Sequence, residues 1–151
     1  MKKIIVLGIG VMFFWSCNNS SDKSTTHKET GNQAILHHDE SSEAIELNNG
    51  EKWVVNDEMK PFVGKGEELV NTYIQNRQSD YKTLAGQLKD QNSQLIKSCT
   101  MDGKSHEELH KWLHPHLDMV ADLESTKDTA QAKKLVEQLK ASYVDFEKYF
   151  Q

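Results

Sequence analysis

Four segments in the second half of the sequence repeat apolar residues every three or four positions, a spacing that lines them along one face of an α-helix. Helix one would begin after Asn56 or Asp57, helix two near Asp80, and helix four after Ser125. Because the breaks between the segments are short, each helix must fold back against the one before it. The sequence therefore predicts an all-α fold, an antiparallel four-helix up-down bundle.

The start of helix three carries its own signal. Ser105 and Glu108 have the spacing of a capping box, in which each side chain accepts the other residue's backbone N–H. The preceding residues 102–104 include a glycine and break the apolar periodicity. We therefore expect helix three to begin at Ser105.

The segment before the first helix alternates apolar and polar residues on both sides of a turn dipeptide. Ile45 and Leu47 precede Asn49-Gly50, and Trp53 and Val55 follow it with the same parity. Asn-Gly favours the turn type that joins antiparallel strands, so this pattern predicts a short β-hairpin in front of the bundle. Because two strands alone are marginally stable in water, we expect Trp53 to lie against the helices. Hairpin and bundle together form one predicted domain, residues 44–151.

The N-terminus has the pattern of an export signal. Two lysines precede an uncharged apolar run over residues 4–15, which is too short to span a membrane as a helix. The run ends in Phe14-Trp15-Ser16-Cys17, which resembles a relaxed lipobox of bacterial lipoproteins. We therefore predict a lipoprotein signal peptide over residues 1–16, and Cys17 as the site of acylation by palmitate-type chains.

Residues 17–43 are rich in Ser, Thr, Asp, Lys and His, with few apolar residues, and this composition predicts a disordered tether. We interpret its His27, His37 and His38 as solvated linker residues. Removal of the signal peptide leaves 16 basic against 23 acidic side chains, a net charge of about −7. Nucleic acid is a poor partner for that charge. An anionic membrane surface is disfavoured for the same reason, so membrane attachment would depend on the lipid at Cys17.

Thiol, thioether and imidazole donors concentrate between residues 99 and 116. His106 and His110 are one helical turn apart, a spacing at which two imidazoles can reach one ion, and Cys99 and Met101 come just before them. Sulfur and imidazole donors favour copper or zinc. The sequence therefore suggests a metal site made by Cys99, Met101, His106 and His110.

Two further histidines are possible additional ligands. His114 continues the row but turns toward solvent, whereas His116 follows Pro115 on the apolar stripe. We expect His116 to be buried and hydrogen-bonded to a tyrosine or to a carbonyl freed by the proline. The structural alternative for the whole cluster is that the sulfur residues belong to the core and the histidines to the surface.

The run from Cys99 to His116, together with Leu47-Asn48-Asn49-Gly50-Glu51-Lys52-Trp53, resembles a group of small Gram-negative lipoproteins often encoded beside heavy-metal efflux genes. The resemblance covers most of residues 45–151. It implies a helical envelope lipoprotein with a link to metal handling, and envelope efflux components as partners. It implies no particular ligands.

Other classes of function remain as alternatives. The sequence has no phosphate-binding glycine loop, nucleophile elbow, zinc-protease motif or covalent haem motif, so we expect no enzyme. A b-type haem could still be held between Met59 and His116. A partner-binding lipoprotein without metal could use Lys111, Trp112 and His114 as its contact surface. The favoured interpretation is an outer-membrane lipoprotein facing the periplasm that binds copper or zinc as a buffer, sensor or chaperone.

Overall fold

Four helices dominate residues 43–151, the part of the chain that a computed structural model describes. Their bounds are α1 Lys60–Gln75, α2 Tyr81–Ser98, α3 Gly103–Ser125 and α4 Thr129–Tyr149. The prediction of an all-α bundle is confirmed. Residues 1–42, which include the predicted signal peptide, Cys17 and nearly all of the predicted tether, lie outside the described residues. None of the described helices is long and apolar enough to cross a membrane.

Each helix packs against its neighbour in sequence, and α1 also packs against α4. The side chain of Asn56, just before α1, donates to the carbonyl of Ser98 at the end of α2 over 2.9 Å. Lys89 in the middle of α2 forms an ion pair of 2.8 Å with Glu124 at the end of α3. Tyr81 at the start of α2 donates to Thr126, just beyond α3, over 3.5 Å. The start of α1 therefore lies near the end of α2, and the start of α2 lies near the end of α3.

The helix starts agree only partly with the sequence signals. The start of α2 agrees with the predicted position near Asp80, and Asp80 caps the helix by accepting the N–H of Thr83 at 3.0 Å. In contrast, α1 begins at Lys60, after Met59, and not directly after Asn56 or Asp57. The Oδ1 atom of Asn56, which a cap would use as acceptor, instead accepts the N–H of Thr100 at 3.2 Å.

The predicted capping box at the start of α3 is wrong. The helix begins at Gly103, and the Ser105 hydroxyl donates to the Asp102 carbonyl over 3.0 Å. The Glu108 carboxylate accepts the N–H of Glu46, a residue 62 positions away, and not that of Ser105. A long-range partner thus replaces the local one.

The predicted β-hairpin is absent from the described residues, which contain a turn and isolated bridges but no strand. Asn49 and Gly50 have φ angles of 53° and 91°, and Asn48 and Glu51 exchange backbone hydrogen bonds of 2.9 and 3.0 Å. Positive φ at both central residues is the turn conformation that Asn-Gly favours. Beyond the turn, the chain pairs with the end of α4 instead of with its own preceding segment.

This pairing joins residues 53–55 to residues 149–151. The Trp53 N–H donates to Tyr149 over 2.8 Å, the Gln151 N–H donates to Trp53 over 2.9 Å, and the Val55 N–H donates to Gln151 over 3.0 Å. Trp53 is half-buried and packs against the core, as expected. Val55 and Phe150 are almost fully buried. Backbone hydrogen bonds and apolar burial therefore hold the two segments together.

The turn after α1 places an arginine where a glycine is usual. Gln78 N–H donates to the Tyr73 carbonyl over 3.0 Å, and Arg77 N–H donates to Ile74 over 3.1 Å. These two bonds define a Schellman motif, whose left-handed residue is most often glycine. Here that residue is Arg77, with φ 52°.

Candidate metal site

The first two turns of α3 bring two imidazoles into contact. The Nε2 atoms of His106 and His110 lie 3.0 Å apart, and their ring centroids lie 4.4 Å apart with an interplanar angle of 75°. Both side chains are half-buried. Residues four apart share one face of a helix, so the contact follows directly from the sequence spacing. One ring nitrogen donates to the other when both imidazoles are neutral.

The row continues with His114, the next residue at this spacing. Its ring packs edge-on against that of His110, with centroids 4.8 Å apart and an interplanar angle of 62°. His114 is exposed, as its position on the helix predicted. Three imidazoles thus follow one another along α3, from a half-buried start to an exposed end.

Cys99 and Met101 lie on the short connection between α2 and α3. Both are half-buried and pack against the core, and the Cys99 thiol is not part of a disulfide. Within residues 43–151, no group of three or more His, Cys, Asp or Glu side chains is placed to hold a metal ion. The structure therefore brings His106 and His110 together without a third ligand of these types.

His116 lies in the core, as predicted, and not in the imidazole row. It has no exposed surface, and its Nδ1 lies 3.0 Å from the Ser142 hydroxyl, whereas a tyrosine or a carbonyl was expected as the partner. Its ring stacks on Trp112 at 4.8 Å and meets Tyr143 edge-on at 4.9 Å. The buried Nε2 has no hydrogen-bond partner among the described residues. Burial lowers the pKa of His116 to about 4.

The surface proposed for partner contact, Lys111, Trp112 and His114, is exposed only in part. Trp112 is 3% exposed, and its indole N–H donates to the Ser142 carbonyl over 2.8 Å, so it is a core residue. The Lys111 ammonium lies 2.9 Å from the carboxylate of Glu108. Of these three residues His114 is exposed, whereas Lys111 is half-buried and Trp112 is buried. Met59, the proposed haem partner of His116, is fully buried.

The sequence did not predict the buried carboxylate of Glu108 beside the histidine row. Glu108 has no exposed surface, and it accepts from Lys104 at 2.8 Å, from Lys111 at 2.9 Å and from the Glu46 N–H at 2.8 Å. Burial alone would raise its pKa, but the hydrogen bonds from these partners lower it to about 2. Helical spacing suggests the two lysine pairs, but the burial depends on a segment far away in sequence.

That segment, residues 43–46, comes just ahead of the turn at residues 49 and 50 and contacts Glu108 and Lys111 of α3. The Lys111 ammonium lies 3.4 Å from the Ala44 carbonyl and 3.6 Å from the Glu43 carboxylate. The Trp53 indole N–H donates to the Glu46 carbonyl over 2.6 Å. The chain that leads into the bundle is therefore held on the same helix that carries the histidines.

Comparisons with protein families, with curated proteins and with solved structures gave no match to this chain.

Proposed function

We propose that this chain is a membrane-anchored periplasmic lipoprotein that binds copper or zinc and acts as a buffer, sensor or chaperone for the metal. The lipid on Cys17 would anchor it at the outer membrane, and the tether over residues 17–43 would connect the anchor to the bundle. Partners would be envelope components of metal efflux. This proposal combines the export signal, the resemblance described above and the chemistry of the α3 histidines.

The distance of 3.0 Å between the Nε2 atoms of His106 and His110 is the observation that carries the metal proposal. Zinc and copper bind imidazole nitrogen at about 2.0–2.1 Å, so two nitrogens 3.0 Å apart suit one ion at an angle of about 95°. This angle is below the tetrahedral value but needs only a small opening of the pair. The same two atoms that now share a hydrogen bond could therefore share an ion.

The remaining ligands would come from side chains near the pair. Cys99 and Met101 lie on the connection that leads into α3, and His114 contacts the ring of His110. A thiolate and a thioether would favour Cu(I), whereas a third imidazole would suit Zn(II) or Cu(II). Movement of at least one of these side chains would complete the site, since the described residues contain no assembled group of three.

Titration of the purified full chain with Cu(I), Cu(II) and Zn(II) tests this function. We expect one equivalent of at least one metal to bind, and His110→Ala to lose that binding, because it removes one member of the pair. Cys99→Ser distinguishes the two ligand sets: weakened Cu(I) binding indicates thiolate ligation, and unchanged binding indicates an imidazole site.

The matched control replaces His27, His37 and His38 together by alanine. It removes three histidines from the predicted tether and leaves the α3 row intact, so the stoichiometric binding should persist. Loss of binding in this control, with His110→Ala unaffected, would place the metal on the tether and contradict the proposal. Identical weak isotherms for all proteins would remove the metal function and favour a partner-binding lipoprotein.

A further inference from the structure

A cavity of about 450 Å³ lies at the end of the bundle where α1 ends and α2 and α4 begin. Cys99 follows the other end of α2, so this cavity is remote along the helix from the candidate metal site. Its lining includes two half-buried tyrosines, Tyr73 and Tyr81, and the buried Ala132. A volume in this range is typical of sites for small molecules, which combine apolar walls with a few polar groups.

Two cationic side chains, Arg77 and Lys133, also line the cavity. Neither forms an ion pair or a hydrogen bond with any side chain in residues 43–151. Arg77 is the single arginine of a sequence whose formal net charge is −5. An exposed arginine and an exposed lysine that line the same cavity, both without a carboxylate partner in the described bundle, are suitable groups to bind an oxyanion.

The backbone at Arg77 is a second, independent observation. Its φ of 52° places an L-residue with a long side chain at the left-handed position of the Schellman motif, where glycine avoids the steric cost. Strained backbone residues concentrate at functional sites. The left-handed backbone at this position favours glycine, which has no side chain, and yet the sequence has an arginine there.

The nearby acidic groups stay charged, but their carboxylates accept hydrogen bonds from neutral donors and form no ion pair with Arg77 or Lys133. Asp80 accepts the N–H and the hydroxyl of Thr83 at 3.0 and 2.7 Å, and Asp128 accepts the N–H of Ala130 at 2.8 Å. Burial, followed by the charge of Asp80, raises the pKa of Tyr73 above its usual value, so its phenol stays protonated at neutral pH. It can then donate a hydrogen bond to an anionic ligand.

We propose that this cavity binds a small organic oxyanion, with its phosphate or carboxylate group between Arg77 and Lys133 and its planar body against Tyr73 and Tyr81. Charge pairing with the arginine fork fixes the anionic group, and the aromatic walls shield the body from water. This activity is separate from metal binding and does not depend on it.

Phenyl phosphate, benzoate and neutral benzyl alcohol are the probes, titrated into the purified full chain while backbone amide resonances are recorded. We expect saturable shifts for amides in residues 73–81 and 129–133 with one or both anions, and none with the alcohol. The two anions distinguish a phosphate from a carboxylate ligand. Absence of saturable binding by both anions, or equal binding of the alcohol, would overturn the proposal.

Three variants test the role of Arg77. Arg77→Gln should weaken anion affinity by about tenfold, because it removes a charge-assisted hydrogen bond. Lys134→Gln is the matched control: it removes the charge of an exposed neighbour that does not line the cavity, and it should leave affinity unchanged. Arg77→Gly should weaken anion affinity at least as much as Arg77→Gln and yet raise the melting temperature, because glycine relieves the left-handed strain. Unchanged affinity in Arg77→Gln would overturn the proposal.

Discussion

Glu108 shows how a charge can be buried in a small helical bundle. Its carboxylate is fully enclosed, and three donors, Lys104, Lys111 and the Glu46 N–H, satisfy it. A buried charge is tolerated when it is paired and hydrogen-bonded, and loss of its partners is costly. This residue therefore fixes the chain before the first helix to α3, beside the candidate metal site.

We expect Glu108→Gln to lower the free energy of unfolding by about 2 kcal/mol at pH 7, because two lysines lose their counter-charge while the amide keeps part of the hydrogen bonding. The folded pKa is about 2, below the ordinary value of 4.5, so the stabilisation is present above pH 4.5 and decreases as the pH falls towards 2. Urea unfolding from pH 7 to pH 2.5 should show the difference between wild type and variant shrinking over that range.

Glu107→Gln is the control for this experiment. Glu107 is the adjacent residue, has a 70% exposed side chain, and approaches Lys104 only to 4.0 Å. Exposed ion pairs contribute little, so this variant should unfold like the wild type at every pH. An equal effect of the two substitutions would contradict the role assigned to the buried carboxylate.

His116 is another buried titratable residue, and unlike Glu108 it has no partner of opposite charge in the described part of the chain. Its ring is enclosed by Trp112, Tyr143 and Ser142, and no acidic group contacts it among the described residues. Burial without a counter-charge favours the neutral imidazole. The ring therefore acts as a flat packing element as long as it carries no charge.

Acidification should destabilise the bundle through His116. The folded pKa is about 4 and the ordinary value is 6.5, so the unfolded chain binds the proton first and stability decreases as the pH falls from 6.5 to 4. The full effect is about 3 kcal/mol. His116→Phe keeps a flat ring without a titrating group, so its unfolding free energy should vary less over this range. An equal pH dependence in urea unfolding of both proteins would contradict this assignment.

At the scale of helices, Gly66 of α1 lies directly against the Tyr143 ring of α4. A Cβ at this position would lie 2.2 Å from the Tyr143 hydroxyl oxygen and 3.0 Å from Cζ of the same ring. Both glycine and tyrosine are buried. The glycine therefore leaves the room that the Tyr143 ring occupies between α1 and α4.

Gly66→Ala should lower the free energy of unfolding by about 2 kcal/mol, because the added methyl group must displace a buried ring. Gly64→Ala provides a matched comparison in the same helix, since a Cβ there meets no atom within 4 Å. It should raise stability by about 0.5–1 kcal/mol through better helix propensity. Thermal and urea unfolding of the two variants should thus change in opposite directions, and a stable Gly66→Ala would refute the close approach.

The helices could be predicted from the sequence because their signals are local. Each apolar stripe repeats within its own segment, and the cap of α2 depends on Asp80 and Thr83, three residues apart. The predictions of the hairpin and of the capping box were wrong because the actual partners of these residues are distant in the sequence. Residues 53–55 find their partners at the end of α4, and the Glu108 carboxylate finds one in Glu46. Local patterns do not reveal such distant partners.

The candidate metal site likewise has one part that the sequence predicted and another part that it did not. The His106–His110 pair depends on one helical turn, so its geometry followed from spacing alone. The position of Cys99 relative to that pair depends on how the end of α2 and the start of α3 pack against the core, which no short pattern encodes. The buried state of Glu108 and the left-handed backbone of Arg77 also depend on the folded context.

At the scale of the described domain, its two ends are joined directly. Backbone hydrogen bonds link residues 53–55 to 149–151, and Phe150 stacks on Phe146 with ring centroids 5.1 Å apart. Closing a chain of this length through a few bonds requires apolar burial in addition, because the closure entropy is large. Phe150, which is 2% exposed, supplies that burial.

Phe150→Ala should therefore lower the free energy of unfolding by about 3–4 kcal/mol, the usual cost of removing a buried phenyl ring. It should also open the pairing locally, so hydrogen exchange of the Trp53 and Val55 amides, which donate to Tyr149 and Gln151, should accelerate more than exchange in the middle of α2. Val144→Ala is the control, because Val144 is 56% exposed on α4, the helix that ends just before Phe150. If exchange at Trp53 and Val55 rose no more than elsewhere, the two ends would contribute to stability only through general packing.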